Sequence, residues 1–211
     1  MKQYPEIPHF CKNQYMYFFD KLDGQNIRME YEKKRGWYKY GSRGQLVARD
    51  DKHFGNAFAI FHQPAGLAER MEEVILRNKW IGPTTIFCEY WGKESFIGMH
   101  KPGDEMFVTL IDISPHRKGI LPPDDFIKIA SQAYLNSDKK EVAKYLGKHY
   151  YCDEFRKMVY LGALSGITYE GVIGKAFHGN QLIMVKIKTD VWRDRVLQTI
   201  AENEAKKILE S

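Results

Sequence analysis

Lys21 is the residue of this sequence best placed for covalent chemistry. It follows an aromatic run, Tyr15-Met16-Tyr17-Phe18-Phe19, and heads the tetrapeptide Lys21-Leu22-Asp23-Gly24. Strand alternation puts Lys21 and Asp23 on one face with Tyr17 and Phe19, and Leu22 on the other. Among aromatic rings an amine is partly desolvated, which favours the neutral, nucleophilic form that a covalent lysine intermediate requires. The competing reading is a hairpin turn in which Asp23-Gly24 supplies the turn geometry and Lys21 is simply solvated.

Other positions could serve such a nucleophile. Val185-Lys186-Ile187-Lys188 places two ammonium groups on one strand face, where an anion would offset their repulsion; lysines on an exposed edge strand also serve as guards against aggregation. Glu170 opens Glu170-Gly171-Val172-Ile173-Gly174-Lys175, and Glu89 opens Glu89-Tyr90-Trp91-Gly92. A carboxylate beside phosphate-binding lysines suits a magnesium-dependent phosphoryl site, because Mg²⁺ takes one or two carboxylates plus phosphate oxygens. Taken singly, each glutamate reads more readily as a surface acid. Lys33-Lys34-Arg35, followed by Trp37, Tyr38 and Tyr40, reads either as a track for a polynucleotide backbone with rings for stacking or as a solvated hairpin tip.

Some patterns fail. Gly174-Lys175 invites a phosphate-loop reading, but Tyr169 stands where that motif needs glycine and Ala176 where it needs a hydroxyl. His9 with Cys11, and His149 with Cys152, lack the second pair of a zinc site.

The elements that must position these residues follow from periodicity. Strands are expected at Tyr15–Lys21, in a hairpin over Gln25–Tyr40, and at Thr84–Trp91, Met106–Ile113, Thr168–Lys175 and Gln181–Lys188. Helices are expected within Gly66–Lys79, over Phe126–Leu135 after the acidic Pro122-Pro123-Asp124-Asp125, at Lys139–Leu146 and Asp153–Leu164, and from Val191 to Leu209. With 211 residues, 44% hydrophobic and 28% charged, the chain is long enough for a substantial core, and its composition excludes collagenous, low-complexity and wholly disordered classes. A formal charge of +5 permits polyanion binding without requiring it. Three widely spaced cysteines, Cys11, Cys88 and Cys152, argue against a disulfide framework, and a reducing, cytoplasmic setting is expected. The longest uncharged stretch, Phe54–Ala68, is too short and too interrupted to cross a bilayer, so no membrane association is expected. The oligomeric state is left open.

Taken in order, the Lys21 tetrapeptide, Ser42-Arg43-Gly44, the Glu89 segment, Phe107-Val108-Thr109-Leu110-Ile111-Asp112, the Glu170 segment and Val185–Lys188 resemble the motifs of the covalent nucleotidyltransferase superfamily of ATP-dependent RNA and DNA ligases and mRNA capping enzymes. The resemblance covers about residues 15–190 and implies an α+β nucleotidyltransferase fold, the ATP-grasp-like adenylation domain of ligases, with antiparallel sheets flanked by helices. Residues 1–190 would form this domain, with 191–211 as a helix packed on it. The 23 residues after Lys188 are too few for the OB domain of DNA ligases and capping enzymes, so no OB domain is expected.

The resemblance also implies roles. Lys21 would take AMP from ATP as a phosphoramidate, with Asp23 in the nucleotide-binding set. Asn26 resembles the RNA-ligase form of the motif, where DNA ligases and capping enzymes carry arginine. Arg43 would contact the nucleotide or a 5′-phosphate end, Glu89 the ribose hydroxyls and Phe107 the adenine, although Phe107 reads equally as core. Glu170 would help to hold Mg²⁺ or Mn²⁺, and Lys186 and Lys188 would contact the α-phosphate. Arg43 and the hairpin of Lys33, Lys34 and Arg35 would hold polynucleotide phosphates. The implied function is an ATP-dependent RNA ligase, in RNA repair for instance, joining 5′-phosphate and 3′-hydroxyl ends through lysyl-AMP. A minimal DNA ligase and a non-catalytic nucleotide- or RNA-binding module are the alternatives.

Overall fold

The aromatic run becomes strand β1 (Gln14–Lys21), since aromatic side chains fit a pleated, half-buried surface. The next strand, β2 (Gly24–Glu32), lies in a different sheet, so residues 21–24 are not a hairpin turn. In this computed structural model, which describes residues 1–93, 105–179, 181–201, 204, 205, 208 and 209, the chain divides into two compact units.

One unit draws on Met1–Glu6, Gly24–Gly92 and Asp104–Ala143. Its antiparallel sheet joins β2 to β3 (Gly36–Ser42), β4 (Leu46–Val47), β5 (Thr84–Gly92) and β6 (Met106–Pro115) in the order β4-β3-β2-β5-β6. Helix α2 (Leu67–Arg77) buries Leu67, Met71, Val74 and Ile75 at helical spacing, with Glu69 in its first turn and Arg77 in its last, each favoured by the helix dipole. Helix α3 (Pro123–Gln132) has proline in its first turn with Asp124 and Asp125 beside it. Helix α1 (Gly55–Phe61) falls in the stretch read only as uncharged; Asp51 Oδ1 accepts from the backbone N–H groups of His53 and Phe54 before it, and Ala57, Phe58 and Phe61 are buried.

The other unit contains Ile7–Asp23 and Lys144–Ser211. Here β1 sits inside a second antiparallel sheet with β7 (Tyr145–Tyr151), β8 (Gly171–His178) and β9 (Gln181–Lys188), in the order β7-β1-β8-β9. One face forms a core of Met16, Phe18, Tyr151, Val172, Val185 and Ile187, closed by Phe155 and Val159 of helix α4 (Asp153–Tyr160).

Two expectations change. Lys139–Leu146 is not a helix: Leu110 N donates to Glu141 O and Ala143 N to Leu110 O, and Tyr145 begins β7. Pairing with a neighbouring strand overrides helical propensity there. The terminal helix is shorter than expected, α5 (Asp190–Thr199), capped by Thr189 and ended by extended backbone at Ile200. Residues 204, 205, 208 and 209 are helical again, while 202, 203, 206 and 207 lie outside the described residues. Among the described residues, no helix is long and apolar enough to cross a membrane.

Gly171 lies where β8 meets both neighbours, opposite Lys21 of β1 and Lys188 of β9. Its φ is +153°, and a Cβ there would stand 1.9 Å from Ile187 O, a backbone atom that cannot swing aside. Gly171→Ala is expected to lower stability by about 2 kcal/mol or more in urea denaturation. Gly44→Ala, where a Cβ would meet nothing within 4 Å, should stay within about 0.5 kcal/mol of the parent.

Candidate functional site

The face of the second sheet opposite its core carries Lys21, Lys175, Lys186 and Lys188. Register aligns its side chains in rows across β1, β8 and β9: Lys21, Gly171 and Lys188; then Phe19, Ile173 and Lys186; then Tyr17, Lys175 and Met184. Alternation explains the division, because Val185 and Ile187 enter the core and so turn Lys186 and Lys188 to the other face.

Glu170, immediately before Gly171, bridges the first row. Its Oε2 accepts a hydrogen bond from Lys21 Nζ, and its Oε1 lies 3.6 Å from Lys188 Nζ. Thr189 N donates to Glu170 O at 2.9 Å and fixes the backbone from which this carboxylate projects. Glu170, Lys186 and Lys188 are only 4%, 5% and 6% exposed. Although β9 is an edge strand, lysines this deeply buried are not solvated guards of that edge.

Burial, opposed by Glu170 and reinforced by the ammonium groups of Lys21 and Lys186, lowers the Lys188 pKa to about 8. The Lys188 ammonium donates to Ile208 O at 2.8 Å and lies 4.6 Å over the Trp192 ring. Asp23 is also buried; desolvation and the nearby Glu170 charge raise its pKa to about 6, against the pull of Lys21. Its Oδ2 has no hydrogen-bond partner.

A partnerless buried carboxylate oxygen at Asp23, electrostatically coupled to Glu170, is the kind of hard donor set that Mg²⁺ or Mn²⁺ accepts when phosphate and water complete the shell. The residues therefore fit such an ion. Among the described residues, no group of three or more His, Cys, Asp or Glu side chains forms a cage that could hold a metal unaided. His149, near Cys152, stacks on Phe155, and its Nε2 lies 3.1 Å from Leu146 O.

The remaining candidates belong to the first unit. Asn26 on β2 pairs in register with Glu89 on β5, Glu89 with Thr109 on β6, and Trp91 with Phe107, so Asn26, Glu89, Trp91 and Phe107 share one sheet face. Phe107 is half-buried and lies 5.1 Å from the Trp91 ring, whose Nε1 donates to Thr109 Oγ1. Arg43 is exposed in the turn after β3, whereas Lys33, Lys34 and Arg35 are exposed in the turn before it. With β3 between them, the two basic groups are separated by about 25 Å of strand and do not form one patch.

Sequence reasoning passed over Lys175 once its phosphate-loop pattern failed, and gave Trp192 no role. Lys175 is buried on the same face as Lys186, with its ammonium 4.9 Å over the Phe19 ring. The signal that could have found it was alternation along β8, since Val172 and Ala176 enter the core and leave Ile173 and Lys175 on the other face.

The electrostatics have measurable consequences. Glu170→Gln leaves buried ammonium groups without their counter-charge and should cost about 3 kcal/mol or more of stability. Lys188→Met removes a charge whose burial is unfavourable and should be far milder. The native Lys188 pKa lies below its unfolded value, so between about pH 8 and 10 the unfolded chain binds the extra proton and stability rises with pH. Urea titrations without nucleotide or divalent metal should show that slope in the parent and its loss in Lys188→Met.

No protein-family model matches the sequence, and neither does any curated protein. Solved structures do resemble it. An archaeal ATP-dependent RNA ligase matches with a TM-score of 0.65 at 13% identity, over 93% of this chain and 51% of that one. A Naegleria gruberi RNA ligase mutant solved with AMP and Mn matches at 0.60 and 15%, over 85% and 51%. A candidate ATP-dependent DNA ligase from Aquifex aeolicus matches at 0.61 and 17%, over 100% and 58%. The chain thus spans about half the length of the structures it matches. At these identities the likeness is one of fold: this chain has the α/β fold, with two antiparallel sheets, seen in about half the length of these RNA and DNA ligase structures.

Proposed function

We propose that this protein is an ATP-dependent polynucleotide ligase that adenylates itself on Lys21 and acts on RNA ends. The observation that carries the reading is one buried carboxylate, Glu170, shared by the ammonium groups of Lys21 and Lys188, with Lys186 in the adjacent row. A nucleophile, an acid and phosphate-binding cations thereby share one sheet face. Solved neighbours that hold ATP or AMP with Mn support a nucleotide and a divalent cation as ligands.

In the first step the Lys21 ammonium releases one proton to solvent, and the neutral Nζ attacks the α-phosphorus of ATP. A P–N bond forms, the bond to the bridging oxygen breaks, and pyrophosphate leaves with the electron pair. Glu170 Oε2, already in contact with Nζ, receives the proton lost by the amine. Lys186 and Lys188 neutralise charge on the phosphoryl oxygens, the preorganised electrostatic stabilisation that phosphoryl transfer depends on. A divalent cation at Asp23 and Glu170 would add neutralisation of the same oxygens when bound.

In the second step a 5′-phosphate oxygen attacks the same phosphorus, the P–N bond breaks and Lys21 recovers its proton. A 3′-hydroxyl then attacks the activated 5′-phosphate and AMP departs. For the first unit, the proposed roles are ribose recognition by Glu89 and Asn26 and adenine contact by Phe107. Arg43 is proposed to bind a terminal phosphate, and Lys33, Lys34 and Arg35 to hold backbone phosphates farther along. The residue type at Asn26 favours RNA over DNA.

Incubation with ATP labelled at the α-phosphate should leave label covalently on the protein, and Lys21→Ala should abolish it. Lys186→Ala and Lys188→Ala should each slow labelling by about 10²–10³-fold. Labelling that persists in Lys21→Ala would remove the nucleophile assignment. Joining of nicked DNA without joining of 5′-phosphorylated RNA would replace the substrate.

A further inference from the structure

The face that carries Lys21 continues along β1, away from the lysine, as a strip of rings. Tyr15, Tyr17 and Phe19 alternate on it, and the edge strand β7 lays Tyr150 opposite Tyr15, Lys148 opposite Tyr17 and Tyr145 opposite Phe19. Simple alternation would not produce the last pairing. A register shift between Phe18 and Phe19 makes Leu146 the extra residue, sends it toward the core and returns Tyr145 to the ring-bearing face. Gly147 makes this possible: its φ is +113°, and a Cβ there would lie 2.8 Å from His149 Nε2.

Three rings of the strip are open to solvent, whereas Phe19 is buried. Tyr15, Tyr150 and Tyr145 are 65%, 47% and 41% exposed, high values for large rings on a sheet. The rings touch one another, Tyr15 with Tyr150 at 5.2 Å between centroids and Tyr145 with Phe19 at 5.5 Å. Cations are interleaved with them: Lys148 Nζ lies 4.8 Å over the Tyr17 ring, and Lys175 Nζ lies 4.9 Å over Phe19. Successive same-face residues of a strand are about 7 Å apart, twice the 3.4 Å per nucleotide of a stacked duplex strand. The Tyr15–Tyr150 pair and Tyr145 stand two such steps apart, about 13 Å, with the exposed Lys148 in the row between them, so the rings match bases that have separated from one another and Lys148 matches a phosphate between them.

We infer that the β1–β7 face is a single-strand binding platform, on which the bases of an unpaired polynucleotide stack on Tyr15, Tyr150 and Tyr145 while Lys148 neutralises its backbone. From Tyr15 to Lys21 the strip runs about 20 Å, so a strand lying on it leads toward the reactive amine. The substrate is then a strand with an unpaired stretch beside the joined end. This inference rests on the ligase reading for its purpose, but not for the binding itself.

The test uses the full chain and fluorescence anisotropy with end-labelled 12-nucleotide single strands of RNA and of DNA, and the RNA duplex of the same sequence. Combined Tyr15→Ala and Tyr150→Ala should weaken single-strand binding about tenfold or more, for RNA and DNA alike because stacking tolerates either sugar. Tyr15→Phe with Tyr150→Phe keeps the rings and should bind as the parent does. Lys148→Ala should shallow the logarithmic salt dependence by about 0.7. Unchanged affinity in the double alanine variant, or an equal loss for duplex and single strand, overturns the platform and leaves the rings to another partner. Self-labelling of the parent chain with ATP is measured alongside. Ring-dependent binding without labelling keeps the platform and removes the ligase reading, whereas labelling without ring dependence does the reverse.

Discussion

The structure around the candidate site depends on a single carboxylate held out of water between two ammonium groups. Isolated buried charges are expensive, and Lys188 shows the strain, with its pKa lowered to about 8 chiefly by burial. Glu170 offsets the penalty for Lys21 and Lys188 together, so neither lysine position can be understood without it. Its own position follows from two backbone features. The Thr189 N–H holds its carbonyl, and Gly171, lacking a side chain, lets the neighbouring strands bring both lysines to the same row.

Holding these charges requires stability from elsewhere, and the sheet itself supplies it. The same strands that present Lys21, Lys175, Lys186 and Lys188 on one face bury Phe18, Val172, Val185 and Ile187 on the other, against α4. Period-two alternation makes the two functions inseparable, because a one-residue slip of β9 would exchange the lysines with the core residues. The pattern also accounts for lysines on an edge strand without exposure. Lys186 N donates to Pro8 O at 3.0 Å, so a segment from the start of this unit lies along the edge.

Legibility in the sequence followed the physics of each element. Where period-two alternation ran through apolar and charged residues, as in Val185–Lys188, both the strand and the face of each side chain could be read directly. Lys21 was legible as a position but not as an environment, since the Asp23-Gly24 pair equally suits a hairpin and only sheet order shows that β1 and β2 part company. Residues 139–146 misled because Lys139, Lys140 and Glu141 look helical alone, while the outcome was decided by backbone bonds to Leu110, far away in sequence. Helix α1 escaped notice because seven residues contain too few turns to show a period. The bulge at Leu146 is equally invisible locally, as its signal is a glycine whose reason lies in a side chain two residues on.

The contact between Lys188 and Ile208 O bears on how the site would receive a phosphate. An ammonium group has three donors, and the Ile208 carbonyl takes one without supplying any negative charge. The interaction fixes the direction of Nζ while leaving its field nearly intact. The Trp192 ring beneath it acts similarly, a face of partial negative charge that steadies a cation without neutralising it. Among the described residues, Glu170 is the carboxylate paired with this ammonium group, and it is shared with Lys21. Positive potential therefore remains at a lysine whose position is already set, and an arriving anion need not reorganise it. This preorganised arrangement of cations is what stabilises charge developing on a phosphoryl group.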